Sequence, residues 1–212
     1  MKPSFDLSLY LVTDPAQCAA RGVVETVLDA VAGGVTLVQL RDKNASGEEL
    51  TAQARALKNV LAPLGVPLIV NDDIEAAIAA DADGAHVGQG DLDPRRARDL
   101  LGPDRILGLS IDAPDQARTV PRDIVDYIGA GPVFATTTKT DHKAPIGVFG
   151  AAAYKGFSAL PTVAIGGLGA GDARQLIRAG LDGVAVVSAI CAAEDPRAAA
   201  AALRKEIEGE RR

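Results

Sequence analysis

The chain has 212 residues but no Trp, only two Cys, one Met, three Tyr and four Phe. Cys18 and Cys191 are far apart and match no metal-ligand spacing, so we expect neither a zinc site nor a disulfide scaffold, but buried, reduced thiols. With few aromatic side chains and a formal net charge of -6, the chain also lacks the stacking residues and the basic stripe of nucleic-acid-binding proteins. Nucleic acid is therefore not an expected partner.

Long hydrophobic runs are missing as well. No run approaches the roughly 20 apolar residues that span a bilayer, and residues 1–5 lack the apolar core of a secretory signal. We therefore expect a cytoplasmic protein without a membrane partner. Apolar residues make up 48% of the chain and no Ser- or Pro-rich linker divides it, which favours one domain over residues 1–212.

The chain does contain a regular alternation of two kinds of segment. Short β-branched or Leu-rich runs recur roughly every 25 residues, and Ala-rich stretches with helical periodicity follow them. Eight such units favour an α/β single-domain (β/α)8 TIM barrel, with phosphate sites at its C-terminal face, over a doubly wound open sheet. The predicted strands are 9–13, 36–40, 68–70, 84–87, 106–109, 125–128, 162–165 and 183–187, and the predicted helices include 23–32, 47–61, 74–80, 94–101, 170–179 and 195–207.

Acidic residues follow two consecutive predicted strands. Asn71 and Asp72 come directly after one strand, and Asp91 follows the next strand, nineteen residues after Asp72. Because the carboxyl ends of neighbouring strands lie together, Asp72 and Asp91 are predicted to share one Mg²⁺, with waters and substrate phosphates completing its ligands. The alternative is that each Asp only caps the helix that follows it.

Positive charge is concentrated after the second strand. Gln39, Arg41 and Lys43 lie there, and they could grip a diphosphate, because the planar Arg fork chelates phosphate oxygens and Lys adds a point charge. The alternative is that Arg41 forms an exposed loop pair with Asp42.

A second cationic loop follows the sixth strand. Thr136, Thr137, Thr138 and Lys139 lie there together, and they could present hydroxyls to a phosphate while Lys139 neutralises a leaving group. Thr137 could instead only stabilise a turn. The region 131–150 has little periodicity, and we interpret it as a mobile cover over the site.

Glycine and serine follow the last two strands. Gly166-Gly167 and Val187-Ser188 are predicted to form a phosphate cup, since backbone N–H groups after strands seven and eight of such barrels often bind phosphate. Two separate anion sites indicate a transferase that joins two phosphorylated molecules. No nucleophile with an adjacent base stands out, and the sequence assigns no role to His86 or His142.

As a set, these motifs resemble those of the thiamine phosphate synthase family over almost the whole chain. The resemblance implies condensation of 4-amino-5-hydroxymethyl-2-methylpyrimidine diphosphate with a hydroxyethylthiazole phosphate, which gives thiamine phosphate and diphosphate. The motifs that carry it are YLVTD at 10–14, QLRDK at 39–43, Asn71-Asp72, HVGQ at 86–89, Asp91, GPVF at 131–134, TTTK at 136–139, AIGG at 164–167 and VVSAI at 186–190.

The resemblance also implies individual roles. Asp72 and Asp91 would hold the Mg²⁺, and Ser110 would contact the pyrimidine. Asp73 departs from the family pattern, which commonly has Arg there, and we interpret Asp73 as a carboxylate at a helix start. The residues that would bind the pyrimidine diphosphate are Gln39, Leu40, Arg41, Asp42, Lys43, Asn71 and Lys139. Those that would bind the thiazole phosphate are Thr136, Thr137, Thr138, Gly166, Gly167, Val187 and Ser188. The residues implied in catalysis are Lys139, Arg41, Lys43 and Ser110.

Two other functions stay open on the same scaffold. A thiazole tautomerase of similar fold would isomerise a thiazole phosphate carboxylate without needing this set of cations. A non-catalytic regulator would bind thiamine phosphate and form none, since a fold alone does not fix activity. Pairing of barrels into a homo-oligomer is compatible with the sequence, but no residue reports it.

Overall fold

A computed structural model describes residues 3–136 and 144–211, in which eight parallel strands form a closed barrel. Each strand pairs with the next along the chain, and the eighth pairs with the first, with Leu9 opposite Val184. This closure confirms the predicted barrel and excludes the open sheet. The strands are β1 Leu9–Val12, β2 Leu37–Leu40, β3 Leu68–Asn71, β4 Gly84–Val87, β5 Ile106–Ile111, β6 Tyr127–Ala130, β7 Thr162–Ile165 and β8 Gly183–Val186.

Helices cover the outside of the barrel, and α1, α2 and α4 have the predicted bounds. Within the described residues, no helix is both long and apolar enough to cross a membrane. The helices are α1 Val23–Ala32, α2 Gly47–Leu61, α3 Ile74–Ala79, α4 Pro94–Leu101, α5 Pro114–Thr119, α6 Gly147–Ser158, α7 Asp172–Arg178, α8 Ser188–Cys191 and α9 Pro196–Glu210, with a short 3-10 helix at Ala62–Leu64.

Helix α6 was not predicted, and its first turn lies in the region that the sequence suggested as a cover. The helix contains Gly147, Gly150 and Gly156, and glycine lowers helix propensity by roughly 1 kcal/mol each relative to Ala. The helix is instead held by its packing, since Ala151 and Tyr154 are buried. Residues 147–150 are therefore helical.

Strand β6 begins two residues later than the sequence indicated. Val125 follows a turn, and its N–H donates to the carbonyl of Pro121. Asp126 then accepts hydrogen bonds from the Arg98 guanidinium and from the Leu107 N–H. The strand ends in Gly129 and Ala130, which have weak strand propensity, so pairing with neighbouring strands rather than local preference sets its bounds.

Buried side chains form two layers, as alternation along the strands requires. Side chains between the strands and the helices form the larger layer, which also contains Cys18 and Cys191, confirmed as buried free thiols. The second layer lies in the barrel interior, and its apolar and aromatic members are Leu7, Tyr10, Val12, Leu37, Ile69, Ile106, Tyr127, Val163 and Ala185.

Candidate active site

A cavity of about 310 Å³ opens at the carboxyl ends of the barrel strands. Its floor is the top of the barrel interior, with Tyr10 and Val163, and its walls are the loops that follow the strands. Most of the residues predicted from sequence come together here. They are Gln39, Arg41, Lys43, Asn71, Asp72, Asp91, Ser110, Thr136, Gly166, Gly167, Val187 and Ser188.

Of the other five predicted residues, the structure describes two, Leu40 and Asp42, and neither is part of this lining. The Leu40 side chain is fully buried in the layer between strands and helices. The Asp42 carboxylate accepts hydrogen bonds from the Asn44 N–H and from Gln53 Nε2, both at 3.0 Å, and so stabilises its own loop. A direct contact of either residue with substrate stays a prediction. The remaining three, Thr137, Thr138 and Lys139, lie outside the described residues, as does His142.

Asp73 and Asp93, rather than Asp72 and Asp91, cap the helices that follow β3 and β4. Asp73 is the N-cap of α3, where its carboxylate accepts the Ala76 N–H at 2.8 Å, and Asp93 is the N-cap of α4. The alternative that Asp72 and Asp91 serve only as caps is therefore wrong. The interpretation of Asp73 as a carboxylate at a helix start is confirmed, and Asp72 and Asp91 are left to face the cavity.

The carboxyl groups of Asp72 and Asp91 lie within hydrogen-bonding reach of each other. Asp72 has a left-handed backbone with φ of 62°, and Asp91 Oδ2 accepts the Gly88 N–H at 2.7 Å. Burial, together with the hydrogen bond and charge of Asp91, raises the pKa of Asp72 to about 6, although Lys43 and Asn71 act in the opposite direction. Asp91 thus disfavours the charged form of Asp72, and a cation between the two groups would offset that effect.

The composition of the acidic pair limits what it could hold. Among residues 3–136 and 144–211, His, Cys, Asp and Glu side chains form no group of three or more that could bind a metal ion. A site with two carboxylates needs further oxygen ligands from water or substrate, which is the usual situation for Mg²⁺ but not for a structural zinc.

The cationic loop after β2 is fixed at its start by Thr13. The Arg41 N–H donates to Thr13 Oγ1 at 3.0 Å, and the Thr13 hydroxyl lies 3.3 Å from the Arg41 carbonyl oxygen, to which it donates. Thr13 is fully buried, so this anchor is shielded from water. Arg41 and Lys43 both line the cavity, and the charge of Lys43 acts on Asp72. The two cations and the carboxylate pair thus share one wall.

The glycine loop after β7 packs directly on the loop after β6. The Phe134 N–H donates to the Gly166 carbonyl at 2.9 Å, which holds this part of the loop near the cavity that Thr136 lines. Gly167 has φ of 69°, and a Cβ there would lie 2.4 Å from the Ala135 carbonyl oxygen. Only glycine fits this approach.

A substitution tests whether this glycine contact shapes the cavity. We expect Gly167→Ala to raise the KM for a phosphorylated substrate at least tenfold and to lower the melting temperature, because the new methyl group would push the two loops apart. Gly65→Ala is the matched control, since Gly65 has a similar φ of 68° but no atom within 4 Å of the added Cβ. Equal KM values in the two purified variants would show that backbone strain alone matters.

Val187 and Ser188 lie where β8 leads into α8, and both line the cavity beside the glycine loop. The Val187 carbonyl accepts the N–H groups of Ile190 and Cys191, so α8 begins at this point. The first N–H groups of a helix have no partner within the helix, and they favour an anion. Hydroxyl and backbone donors thus meet at this wall.

A chain of hydrogen-bonded polar side chains at the floor of the cavity was not predicted. Gln39 Nε2 donates to the Tyr10 hydroxyl at 2.7 Å, and the Tyr10 and Tyr127 hydroxyls are 2.8 Å apart. The Tyr127 hydroxyl is 2.9 Å from His86 Nδ1, and His86 Nε2 is 2.9 Å from Ser110 Oγ. Strand alternation was the available signal, because it directs these side chains into the barrel.

Comparison with known proteins agrees with this geometry. The family model described as thiamine monophosphate synthase matches residues 9–190. A thiamine-phosphate synthase of Xanthobacter autotrophicus is 55% identical over 207 residues, which are 98% of each chain, and one of Azorhizobium caulinodans is 52% identical over the full length of both chains.

Solved structures give the same result. Thiamine phosphate pyrophosphorylase from Pyrococcus furiosus superposes with a TM-score of 0.88 at 34% identity, over 96% of each chain. A 3-hexulose-6-phosphate synthase has a TM-score of 0.70 at 18% identity, which shows a shared barrel fold alone. Because the family model matches residues 9–190 and two relatives are more than 50% identical over nearly the whole chain, the chain belongs to the thiamine monophosphate synthase family.

Proposed function

We propose that the chain is a transferase that joins 4-amino-5-hydroxymethyl-2-methylpyrimidine diphosphate to a hydroxyethylthiazole phosphate and so forms thiamine phosphate. The observation that carries the proposal is the presence of two anion-binding walls in one cavity. Arg41, Lys43 and the carboxylate pair follow β2 to β4, whereas the glycine loop and Ser188 follow β7 and β8, on the opposite side of the ring of strands. Two phosphorylated substrates could therefore meet between them.

The carboxylate pair fits a divalent cation. Asp72 and Asp91 would hold Mg²⁺, and water and diphosphate oxygens would complete its ligands. When bound, the ion would neutralise charge that develops on the diphosphate. The raised pKa of Asp72 supports this role. Burial and Asp91 both disfavour the charged carboxylate, and an added positive charge would stabilise it.

The reaction requires management of charge rather than a covalent intermediate. The bond from the pyrimidine methylene carbon to the diphosphate oxygen breaks, and its electron pair leaves with the diphosphate. The electron-rich aminopyrimidine stabilises the resulting cation, and the lone pair of the thiazole nitrogen then forms the new C–N bond. Arg41 and Lys43, with Lys139 from the sequence prediction, would neutralise the leaving group, and the walls of the cavity would limit attack by water.

The residues present argue against both alternatives. A tautomerase that handles only a thiazole phosphate has no use for the cationic wall or for the acidic pair, yet both line the cavity. A regulator without catalysis would bind product and release no diphosphate, so it would also have no use for residues that act on a leaving diphosphate. The cytoplasmic location, the absence of nucleic-acid and membrane partners, and any homo-oligomer stay predictions from composition and sequence.

The test is a reconstitution with purified protein. Both substrates are supplied with Mg²⁺, and diphosphate release and thiamine phosphate are measured in parallel. We expect equimolar products that require both substrates and that disappear when Mg²⁺ is chelated. Tight binding of thiamine phosphate without any turnover would support the regulator instead.

A further inference from the structure

The buried polar chain links side chains from five strands at the floor of the cavity and ends at Ser110. It runs from Gln39 on β2 through Tyr10 on β1, Tyr127 on β6 and His86 on β4 to Ser110 on β5. Four of the five members are less than 10% exposed, and each of the four links spans 2.7 to 2.9 Å. Polar groups buried this deeply are costly unless they are fully hydrogen-bonded, so the order of donors and acceptors in the chain is constrained.

The barrel interior is shaped to hold this chain. A Cβ on Gly108 would lie 2.2 Å from Tyr127 Cζ and 2.4 Å from His86 Nδ1, so a side chain on Gly108 is excluded by the two rings. The rings of Tyr10 and Tyr127 meet edge to face at 6.0 Å, and the His86 ring lies 5.5 Å from that of Tyr127. The rings are therefore fixed by packing as well as by hydrogen bonds.

The donor at one end sets the direction of every bond that follows. The Gln39 amide nitrogen can only donate, so the Tyr10 oxygen accepts from it. Tyr10 is buried, and its other hydrogen-bond partner is the Tyr127 oxygen, so a satisfied Tyr10 proton goes to that oxygen. The Tyr127 proton then goes to His86 Nδ1, which leaves the ring proton on Nε2. Burial raises the pKa of both tyrosines, so each keeps its proton at neutral pH.

The last link determines where the Ser110 hydroxyl can donate its proton. His86 Nε2–H donates to Ser110 Oγ, so the Ser110 proton is not used within the chain and can be donated into the cavity that Ser110 lines. In the reverse order, His86 would accept from Ser110, and Ser110 could then only accept from a bound molecule. The first order therefore favours a ligand with a hydrogen-bond acceptor at Ser110, and the reverse order favours a ligand with a donor there.

We propose that Tyr10, Tyr127 and His86 are positioning residues that fix Ser110 as a hydrogen-bond donor toward an unprotonated acceptor atom of a bound aromatic heterocycle. This inference rests on the proposed function for the ligand, which would be the pyrimidine substrate with its ring nitrogens. The direction of the chain is a property of the protein without ligand and can be measured separately.

Nitrogen-15 NMR of the His86 ring tests the direction without any activity measurement. A His142→Gln background leaves His86 as the single histidine. We expect the neutral tautomer with the proton on Nε2 at pH 7.5, and a mixture of tautomers in Tyr127→Phe, where Nδ1 has lost its donor. If the His86 proton lies on Nδ1 in the protein with Tyr127 intact, the inference is overturned, even if Tyr127→Phe fails to fold.

Kinetics test the consequence for the ligand. We expect Tyr127→Phe to raise the KM for the pyrimidine diphosphate about tenfold and to leave the KM for the thiazole phosphate unchanged, and Tyr10→Phe to have a smaller effect in the same direction. Tyr154→Phe, which removes a tyrosine hydroxyl on α6 outside the cavity lining, is the control. Equal rises in both KM values would reject a specific role of Ser110. A wild-type enzyme that forms no product would reject the proposed function and leave the NMR result valid.

Discussion

Asp72→Asn is expected to slow turnover about a hundredfold or more and yet to stabilise the folded protein when Mg²⁺ is absent. Loss of one preorganised electrostatic contact in the transition state typically costs about 3 kcal/mol, and the amide is a poor ligand for Mg²⁺. The fold should tolerate the change, because Asn is among the residues that most readily adopt the left-handed backbone that Asp72 has at φ of 62°.

The gain in stability should depend on pH. In the unfolded chain Asp72 has its ordinary pKa of 3.8, whereas burial and Asp91 raise the folded value to about 6. The folded state therefore holds the Asp72 proton more tightly, and its stability falls as pH rises from about 4 to 6. We expect the melting temperature of Asp72→Asn to exceed that of the metal-free wild type by more at pH 7.5 than at pH 4.5.

Asp73→Asn is the matched control for this experiment. Asp73 is the adjacent carboxylate, and its oxygen caps α3, a role that Asn fills equally well. We expect almost unchanged turnover and a small change in melting temperature. Wild-type turnover in Asp72→Asn would contradict the assignment of the carboxylate pair, as would an equal loss of turnover in both variants.

Arg41→Gln is expected to lower kcat/KM for the pyrimidine diphosphate about a hundredfold. The physical reason is the loss of a charge-assisted contact with the leaving diphosphate, a contact that strengthens as the bond to carbon breaks. The backbone anchor to Thr13 uses main-chain atoms of Arg41, so the loop should keep its conformation in the variant. Steady-state kinetics in which each substrate is varied would separate this effect from binding of the thiazole phosphate.

Arg55→Gln is the comparison for Arg41→Gln. The Arg55 guanidinium donates to the Ala79 carbonyl at 2.9 Å and joins α2 to the end of α3, away from the cavity lining. The variant removes the same charge and should keep full activity with a slightly lower melting temperature. If both variants lost activity equally, net charge rather than a phosphate contact would be responsible. If neither lost activity, Arg41 would be an exposed loop residue.

The sequence by itself determined the barrel and the position of the cavity. Helix periodicity and terminal signals set the bounds of α1, α2 and α4, because these are local properties of the chain. The alternation of strands and helices fixed the fold, and residues just after each strand had to meet at one face. For this reason the sequence alone places Arg41, Lys43, Asp72 and Asp91 together.

Tertiary structure decided what local pattern cannot report. The start of β6 and the helix α6 depend on pairing and packing with distant segments, which outweigh the weak propensities of Gly129 or Gly150. The choice of Asp73 rather than Asp72 as the cap depends on backbone geometry at the end of β3. The raised pKa of Asp72 and the polar chain that ends at Ser110 arise only where side chains from separate strands share one buried space, because burial and neighbouring charge are properties of the folded barrel.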